Sequence, residues 1–349
     1  MRLGVNLGYW GAGNDADNLE LAREADRLGY AVVWAAEAYG SDSPTVLAWI
    51  AAQTERIDVG SAVMQIPART PAMTAMTAAT LDTLSGGRFR LGLGVSGPQV
   101  SEGWHGVRFD KPLGRTREYI DIVRMALDRK KLSYQGQHYT LPLPDGPGKS
   151  IQLTVHGART DIPIYVAAVG PKNLELAGEK ADGWLAIFPS AQYLPEQLAH
   201  IAAGREKVGK TLDGFDVVPT VPVVVGDDVA ACADPVRAYA ALYIGGMGSR
   251  EKNFYNQLAT RMGYEAEAAE IQDRFLGKQY REAAAAVPFD FIDQTSLLGP
   301  VDRIAEGLQR YAGAGVTTLS VATYAGTLDE RVATLRTMVE ALDKSGVGE

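Results

Sequence analysis

The strongest constraint on the fold is an alternation, repeated eight times, between a short apolar run and a longer amphipathic run. The short runs are rich in β-branched residues and have strand length, whereas the longer runs have helical spacing. The predicted strands cover residues 3–7, 31–34, 57–64, 88–95, 162–169, 184–188, 217–225 and 318–322. Strands that are apolar throughout are typical of a parallel sheet buried on both faces. The pattern therefore favours an α/β fold, a closed (β/α)8 TIM barrel, with a doubly wound open sheet as the alternative.

Local signals place the helices between these strands. Asn14 or Asp15 is expected to cap the first helix, and Pro71 and Pro171 are expected to open later ones. After the fourth strand, the next helix is expected only near Arg115.

Three segments interrupt the alternation. Residues 96–113 follow the fourth strand, residues 133–162 are expected to form a surface hairpin, and residues 226–300 follow the seventh strand and have a mostly helical pattern. Loops that follow barrel strands lie at the C-terminal end, where binding sites are built, so the first and third segments are candidate pocket walls. A packing or dimerisation role is the alternative for the third. Because no long linker is evident, residues 1–349 are expected to form a single domain.

Composition narrows the class of function. The chain has 34 Lys and Arg against 42 Asp and Glu, and this net charge of −8 argues against nucleic acid or an anionic membrane as partner. The single cysteine, Cys232, cannot form an internal disulfide and suits a reducing compartment. No apolar run reaches the length of about 18 residues needed to span a membrane, and residues 1–6 have a strand pattern instead of a signal peptide. A cytoplasmic protein that acts on a small organic molecule is expected.

Glycine is in excess, at 38 of 349 residues, and one glycine motif stands out. The segment Gly92–Gly97 matches G-x-G-x-x-G. A dinucleotide site would need a helix that opens directly on the last glycines and an acidic residue after the next strand. Neither is predicted here, so we interpret the motif as small residues that let a flat ligand approach the barrel mouth.

The segment Ala167–Asn173 is a better candidate for binding an anion. It passes from a strand through Gly170 to a proline in the first helical turn. The N–H groups around Val169, Gly170, Lys172 and Asn173 and the helix dipole would favour a phosphate there. An ordinary strand-to-helix turn is the alternative.

Several large or polar side chains follow strands that would meet at one end of a barrel. Tyr9 and Trp10 follow the first strand, Gln65 ends the third and Trp104 follows the fourth. Aromatic side chains at such a mouth suit a planar substrate, and loop packing is the alternative for each residue taken singly. The four histidines are scattered and match no zinc motif, and neither a nucleophile elbow nor a P-loop is present, so no metal site is expected.

Several segments together resemble the bacterial luciferase-like superfamily, in particular its branch that uses coenzyme F420, an 8-hydroxy-5-deazaflavin. The matching segments occur in the expected order at residues 29–37, 60–71, 81–88, 92–97, 167–171, 181–184 and 299–315. The resemblance implies a homodimeric TIM barrel with the deazaflavin at its C-terminal mouth. It also implies a bulge after the third strand, with a non-prolyl cis peptide at Ala62–Val63 that backs the cofactor ring.

The same resemblance implies further cofactor contacts. The turn formed by Ala168, Val169 and Gly170-Pro171, with Asn173 behind it, would hold the cofactor phosphate. Glu37 matches an acidic position that contacts the cofactor, and Ser101 lies near a polar one.

Two departures from the family concern proton transfer. Relatives that oxidise glucose 6-phosphate or secondary alcohols carry a histidine after the acidic residue of the second strand and a glutamate after the fourth strand. Here these positions hold Ala38 and Gly97-Pro98, so that general base and its partner are missing. Replacement candidates are Glu37, His105 and Tyr9, with Glu37 and His105 taken as the catalytic candidates.

The function expected from this resemblance is an F420-dependent oxidoreductase that moves hydride between C5 of the deazaflavin and an organic substrate. An FMN-dependent monooxygenase of the same superfamily is the alternative. A non-catalytic protein that binds F420 is a second alternative, because the histidine and glutamate are absent.

Overall fold

The computed structural model of the protein describes residues 1–10 and 15–349, and within these residues ten parallel strands form one sheet. Eight of them pair with their neighbours in chain order, and the eighth pairs with the first, which closes the sheet into a barrel. The barrel strands are β1 (Arg2–Asn6), β2 (Val32–Ala35), β3 (Asp58–Ser61), β4 (Phe89–Gly94), β5 (Ile164–Ala167), β6 (Gly183–Ile187), β7 (Asp216–Val225) and β8 (Thr318–Thr323). The predicted TIM barrel is confirmed, and the open sheet is excluded. The two remaining strands are short and lie beside β4 and β7: Met64–Gln65 and Leu297–Gly299.

A helix packs outside the barrel after each strand. These helices are Asp15–Arg27, Ser43–Ala51, Pro71–Leu84, Pro112–Leu127, Pro171–Lys180, Leu194–Glu206, Val301–Gly313 and Leu328–Ser345. Pro71 and Pro171 open their helices as predicted, and the side chain of Thr70 accepts a hydrogen bond from the N–H of Met73 at 3.2 Å. The first helix begins at Asp15, whereas the predicted cap Asn14 lies outside the described residues.

Strand β2 shows why the barrel strands are apolar throughout. Val32 and Trp34 belong to the cluster that fills the barrel, whereas Val33 and Ala35 belong to the cluster between the barrel and its helices. All four side chains are fully buried. Successive side chains of a strand face opposite ways, so burial of both faces leaves no position for a polar residue.

A buried polar group closes the N-terminal end of the barrel. Arg90 lies 2.8 Å from Asp58 and 3.1 Å from Asp216, and the hydroxyl of Tyr165 donates to Asp216 at 2.9 Å. Burial, reinforced by the Asp216 carboxylate, raises the pKa of Tyr165, so the phenol remains a donor. These groups satisfy one another inside the barrel, so the C-terminal end, where the loops after the strands lie, is the end left for a binding site.

The Ser-Gly-Gly-Arg motif before β4 has a structural role. Gly86 and Gly87 take left-handed φ angles of 67° and 86°, which a side chain would strain. The Arg88 guanidinium donates to the carbonyl oxygens of Ala51 and Thr54 at 2.9 and 3.0 Å. The motif thus ties the end of the second helix to the start of β4.

The three interruptions of the alternation are all structured. A hairpin joins Tyr134–Gln135 to Thr140–Leu141, which confirms the second prediction. A short helix, Pro98–Gly103, begins directly after Gly97 and the next helix begins at Pro112, so the prediction of no helix before Arg115 was wrong. The proline after Gly97 opens this extra turn because its fixed φ suits a first helical position.

The insertion after β7 is mostly helical, as predicted, and its helices share an apolar cluster with Phe188 at the end of β6. Cys232 is buried in the first of them. The elements of the insertion are Val229–Ala241, the π-helix Leu242–Gly246, Phe254–Arg261, Glu265–Leu276, Tyr280–Ala285 and Phe289–Thr295. Across the described ranges, no helix combines the length and the hydropathy required to cross a bilayer.

Candidate functional site

The floor of the C-terminal mouth is shaped by a bulge after β3. The peptide bond between Ala62 and Val63 is cis, at the position that the family resemblance implied. Ala62 and Val63, together with Ala167 at the end of β5, pack on the barrel's inner cluster, yet they are partly exposed. Small apolar groups at the bottom of an open mouth leave room for a flat ring.

The first two glycines of the Gly92–Gly97 segment make room for this bulge. A Cβ atom on Gly92 would lie 1.9 Å from the carbonyl oxygen of Ser61, and one on Gly94 would lie 2.4 Å from a methyl group of Val63. A Cβ atom on Gly97 would meet nothing closer than 3.8 Å. From the sequence, these glycines were explained only by the approach of a ligand. The structure shows that they also allow neighbouring strands to pack closely.

The turn after β5 presents N–H groups at the same end. Gly170 caps the helix Pro171–Lys180, and its carbonyl accepts the N–H groups of Asn173 and Leu174 at 3.0 and 2.9 Å. In the described part of the chain, the N–H groups of Gly170 and Lys172 have no acceptor. A helix N-terminus with free donors attracts an anion.

The neighbouring groups hold this turn in place. The carbonyl of Ala168 accepts the indole N–H of Trp184 at 2.9 Å, and the side-chain amide of Asn173 donates to the Ala167 carbonyl at 3.4 Å. The guanidinium of Arg261, from the insertion after β7, donates to the Val169 carbonyl at 3.3 Å. Sequence reasoning missed Arg261, because the fold alone brings it to a turn 92 residues away.

Glu37 lies after β2 and is held on both of its oxygens. Arg69 donates to them at 2.8 and 3.0 Å, and the hydroxyl of Ser43 donates at 3.2 Å. Burial disfavours the charge of Arg69, but Glu37 and then Asp42 outweigh it and raise the pKa of Arg69. A carboxylate held in this way serves first to fix the loop, and its catalytic role stays a prediction.

Gln65 joins three loops around the mouth. Its amide nitrogen donates to the Ala38 carbonyl at 2.6 Å, and its oxygen accepts the hydroxyl of Ser96 at 2.8 Å. Ser96 has a left-handed φ of 63°, which is uncommon for a residue with a side chain. The amide therefore couples the loops after β2, β3 and β4.

The residues predicted after β4 have different surroundings. Ser101 is buried and donates its hydroxyl to the Val107 carbonyl at 2.7 Å, so its donor holds the loop. The Nε2 atom of His105 is buried without a partner in the described part of the chain, whereas Trp104 is 67 % exposed. Among the described residues, no hydrogen bond links Ser101 or His105 to Glu37.

The two aromatic residues after β1, Tyr9 and Trp10, lie in different surroundings. Trp10 is buried against Trp49, with ring centroids 5.6 Å apart, so its ring contributes to packing outside the mouth. Tyr9 is 46 % exposed and lies beside Tyr243 of the insertion.

Apart from Tyr9, the aromatic side chains grouped above the mouth were not predicted. Ring centroids lie 4.7 Å apart for Tyr239 and Tyr243, 4.9 Å for Tyr243 and Tyr255, and 5.8 Å for Tyr239 and Tyr324. We call this group the tyrosine cage; its members are Tyr9, Tyr239, Tyr243, Tyr255, Tyr324 and Phe188. The only local signal was the spacing of four between Tyr239 and Tyr243 on a helix.

Across the described residues, no group of three or more His, Cys, Asp or Glu could hold a metal ion.

The structure is a TIM barrel with a bulge after β3, a turn after β5 of the kind that binds anions, and a helical insertion after β7. Together these features suit a flat, phosphorylated ligand. The family model described as luciferase-like monooxygenase matches residues 6–318, and the chain belongs to this family.

Two relatives extend over most of the chain. A Mycobacterium tuberculosis protein, provisionally named a coenzyme F420-dependent oxidoreductase, is 44 % identical over 92 % of this chain and 94 % of its own. The 5,10-methylenetetrahydromethanopterin reductase of Archaeoglobus fulgidus is 29 % identical over 84 % of this chain and 85 % of its own.

Solved structures agree with the fold. The F420-dependent tetrahydromethanopterin reductase of Methanopyrus kandleri superposes with a TM-score of 0.81 at 23 % identity, covering 97 % of both chains. The oxygenating component of 3,6-diketocamphane monooxygenase from Pseudomonas putida, in complex with FMN, superposes with a TM-score of 0.69 at 18 % identity, covering 99 % of this chain and 98 % of its own.

Proposed function

We propose that this protein is an oxidoreductase that uses coenzyme F420 and moves hydride to or from a small organic substrate. The names of its relatives support the cofactor, and the shape of the site supports it independently. The observation that carries the proposal is the pairing of an apolar floor at Ala62, Val63 and Ala167 with free N–H donors at the Gly170 turn. A flat ring joined to a phosphate needs both features at one mouth.

The residues present fit a deazaflavin. The cis peptide Ala62–Val63 would support one face of the ring, and the N–H groups of Gly170 and Lys172 would hold the phosphate with Arg261 nearby. When bound, the cofactor supplies a carbon, C5, that gives or accepts a hydride. The chain itself contributes orientation, a dry apolar floor and hydrogen-bond donors.

Proton transfer must use other residues than those of the glucose 6-phosphate relatives, because Ala38 and Gly97-Pro98 carry no acid or base. Within the described residues, the Nε2 atom of His105 is buried without a partner, and Tyr9 is half exposed with its phenol beside Tyr243. These two are our candidates, with Glu37 available only if Arg69 releases it.

Anaerobic titration with F420 and with FMN tests the cofactor. We expect F420 to bind at submicromolar concentration and FMN to bind more weakly, monitored by protein fluorescence and calorimetry. Submicromolar binding of FMN without F420 binding would contradict the proposal and favour a flavin monooxygenase. Tight F420 binding without turnover on a broad substrate panel would favour a non-catalytic F420-binding protein.

Substitution of Gly170 separates helix stability from phosphate binding. Gly170 has a φ of −86°, and a Cβ atom there would meet nothing within 4 Å, so side chains fit. Gly170→Asp and Gly170→Asn both provide good helix caps, but only aspartate repels a phosphate. We expect both variants to fold normally, with F420 bound at least tenfold more weakly by G170D than by G170N. Equal affinities would place the phosphate elsewhere.

We also propose that the protein is a homodimer. Met73, Met76 and Leu84 form one exposed stripe on the helix Pro71–Leu84, and Trp49 is exposed on the adjacent helix. Several large apolar side chains exposed on two adjacent helices are typical of an interface between subunits. Light scattering is expected to give a dimer mass for the wild type and a monomer mass for M73E/M76E. The control L276E, at an exposed position of the insertion, should stay dimeric; a monomeric wild type would contradict the proposal.

A further inference from the structure

We propose that the tyrosine cage is the substrate-binding wall of this site and that it takes an uncharged, planar organic molecule carrying a carbonyl or hydroxyl oxygen. This inference rests on the proposed function, because it places the substrate over the mouth that holds the cofactor.

Topology puts the whole cage at the C-terminal end of the barrel. Tyr9 follows β1, Phe188 follows β6, and Tyr324 follows β8, while the other three tyrosines come from the insertion after β7. Val169 of the phosphate turn and Ile187 at the end of β6 pack against the same apolar cluster. The cage is therefore continuous with the turn at Gly170 and lies at the same end of the barrel as the apolar floor.

The cage presents neutral hydrogen-bond donors on aromatic walls. Burial raises the pKa of Tyr9, and the hydrogen bond from Tyr243 offsets only part of that rise. Burial also raises the pKa of Tyr243 far above its usual value and that of Tyr255 to about 12. At neutral pH these phenols keep their protons; Tyr243 donates to Tyr9, and the Tyr9 hydroxyl can in turn donate to an oxygen of a ligand.

The electrostatic surroundings select against charge. In the described part of the chain, no hydrogen bond joins the phenol of Tyr9, Tyr255 or Tyr324 to an ammonium, guanidinium or carboxylate group, and burial is the main cause that raises their pKa values. An anion or cation that entered the cage would lose its hydration without gaining a counter-ion. Apolar ring faces, by contrast, pack well against a planar ligand.

One buried side chain positions two of the cage tyrosines. Asn253 is 1 % exposed, and its amide nitrogen donates to the carbonyls of Tyr243 and Ile244, both at 2.9 Å. Its oxygen accepts the N–H groups of Tyr255 and Asn256 at 2.9 and 3.0 Å. The first pair satisfies carbonyls at the end of the π-helix, and the second caps the next helix. Asn253 is therefore a positioning residue for the cage.

Three probes with the same ring system distinguish the effect of a neutral oxygen on binding from the effect of a charge. They are 2-acetylnaphthalene, 2-ethylnaphthalene and 2-naphthoate. Calorimetry on the F420-loaded protein would measure each dissociation constant. We expect 2-acetylnaphthalene to bind about 3- to 10-fold more tightly than 2-ethylnaphthalene, the gain from one neutral hydrogen bond. Naphthoate is expected to bind more weakly than either.

Variants then locate the hydrogen bond. Y9F and Y243F should reduce the preference for the acetyl over the ethyl probe while 2-ethylnaphthalene binds as before, and at least one of them should abolish it. N253D keeps the capping oxygen but loses the donor to the Tyr243 carbonyl, so it should reduce the same preference. The control Y280F changes an exposed tyrosine of the insertion outside the cage and should have no effect.

Tight binding of naphthoate or glucose 6-phosphate, an unchanged preference in Y9F and Y243F, or no binding of any probe would overturn the inference. F420 affinity, measured separately, keeps the two proposals apart. If F420 binds but the probes do not, the cage proposal fails and the cofactor assignment stands. If the probes bind but F420 does not, the cofactor assignment fails.

Discussion

Gly92→Ala is expected to destabilise the protein by about 3 kcal/mol or more, at the upper end of what overpacking costs in a buried region. The added Cβ atom would lie 1.9 Å from the carbonyl oxygen of Ser61, which is backbone and cannot rotate away. The hydroxyl of Ser61 also exchanges hydrogen bonds with the N–H and carbonyl of Gly92, at 2.9 and 2.8 Å. The collision would displace the strand that leads into the bulge at the mouth, so F420 affinity should fall with the melting temperature.

The same motif provides the matched control. Gly97→Ala introduces a Cβ atom whose nearest contact is 3.8 Å away, at a φ of −134° that alanine adopts freely. We expect G97A to melt and bind F420 like the wild type, and G94A to fall between the two, since the clash there is with a side-chain methyl group. Chemical denaturation and cofactor titration measure both effects. Loss of cofactor affinity in G97A with stability intact would instead support a dinucleotide-type role for the motif.

The second large effect is expected for Arg69→Leu. Glu37 and Arg69 are both mostly buried, with 9 % and 14 % of their side chains exposed. Removal of one partner leaves a buried carboxylate without its counter-charge, which costs about 3–5 kcal/mol.

Two controls isolate the pairing. The double variant E37M/R69L replaces both charges by apolar groups and should recover most of the lost stability. Arg250→Leu removes one partner of an exposed ion pair with Asp273 and should cost less than about 1 kcal/mol. Unfolding by urea measures the stability of all four proteins. If R69L is as stable as the wild type, the Glu37–Arg69 pair does not hold the loop.

Local sequence was enough for the fold and for the helix-capping turn at Gly170-Pro171. The eight strands were predictable because a strand buried on both faces must be apolar at every position, and that leaves an uninterrupted signal. The turn at Gly170-Pro171 was also recognisable, since capping and the first helical turn are set by adjacent residues. The short helix at Pro98–Gly103 was missed because six residues carry too little periodicity to detect.

The sequence alone determined the barrel fold and the end of the barrel at which the site loops lie. The reason is that burial of a strand or helix produces a periodic pattern in consecutive residues. The tertiary structure decided which groups meet there: Arg69 with Glu37, Gly92 with Ser61, and the cage tyrosines that come from three separate loops. These contacts join residues from 31 to more than 200 positions apart, and the barrel brings each pair together. A contact of this kind leaves no pattern in the residues next to either position. Such contacts can therefore be identified only from the folded structure.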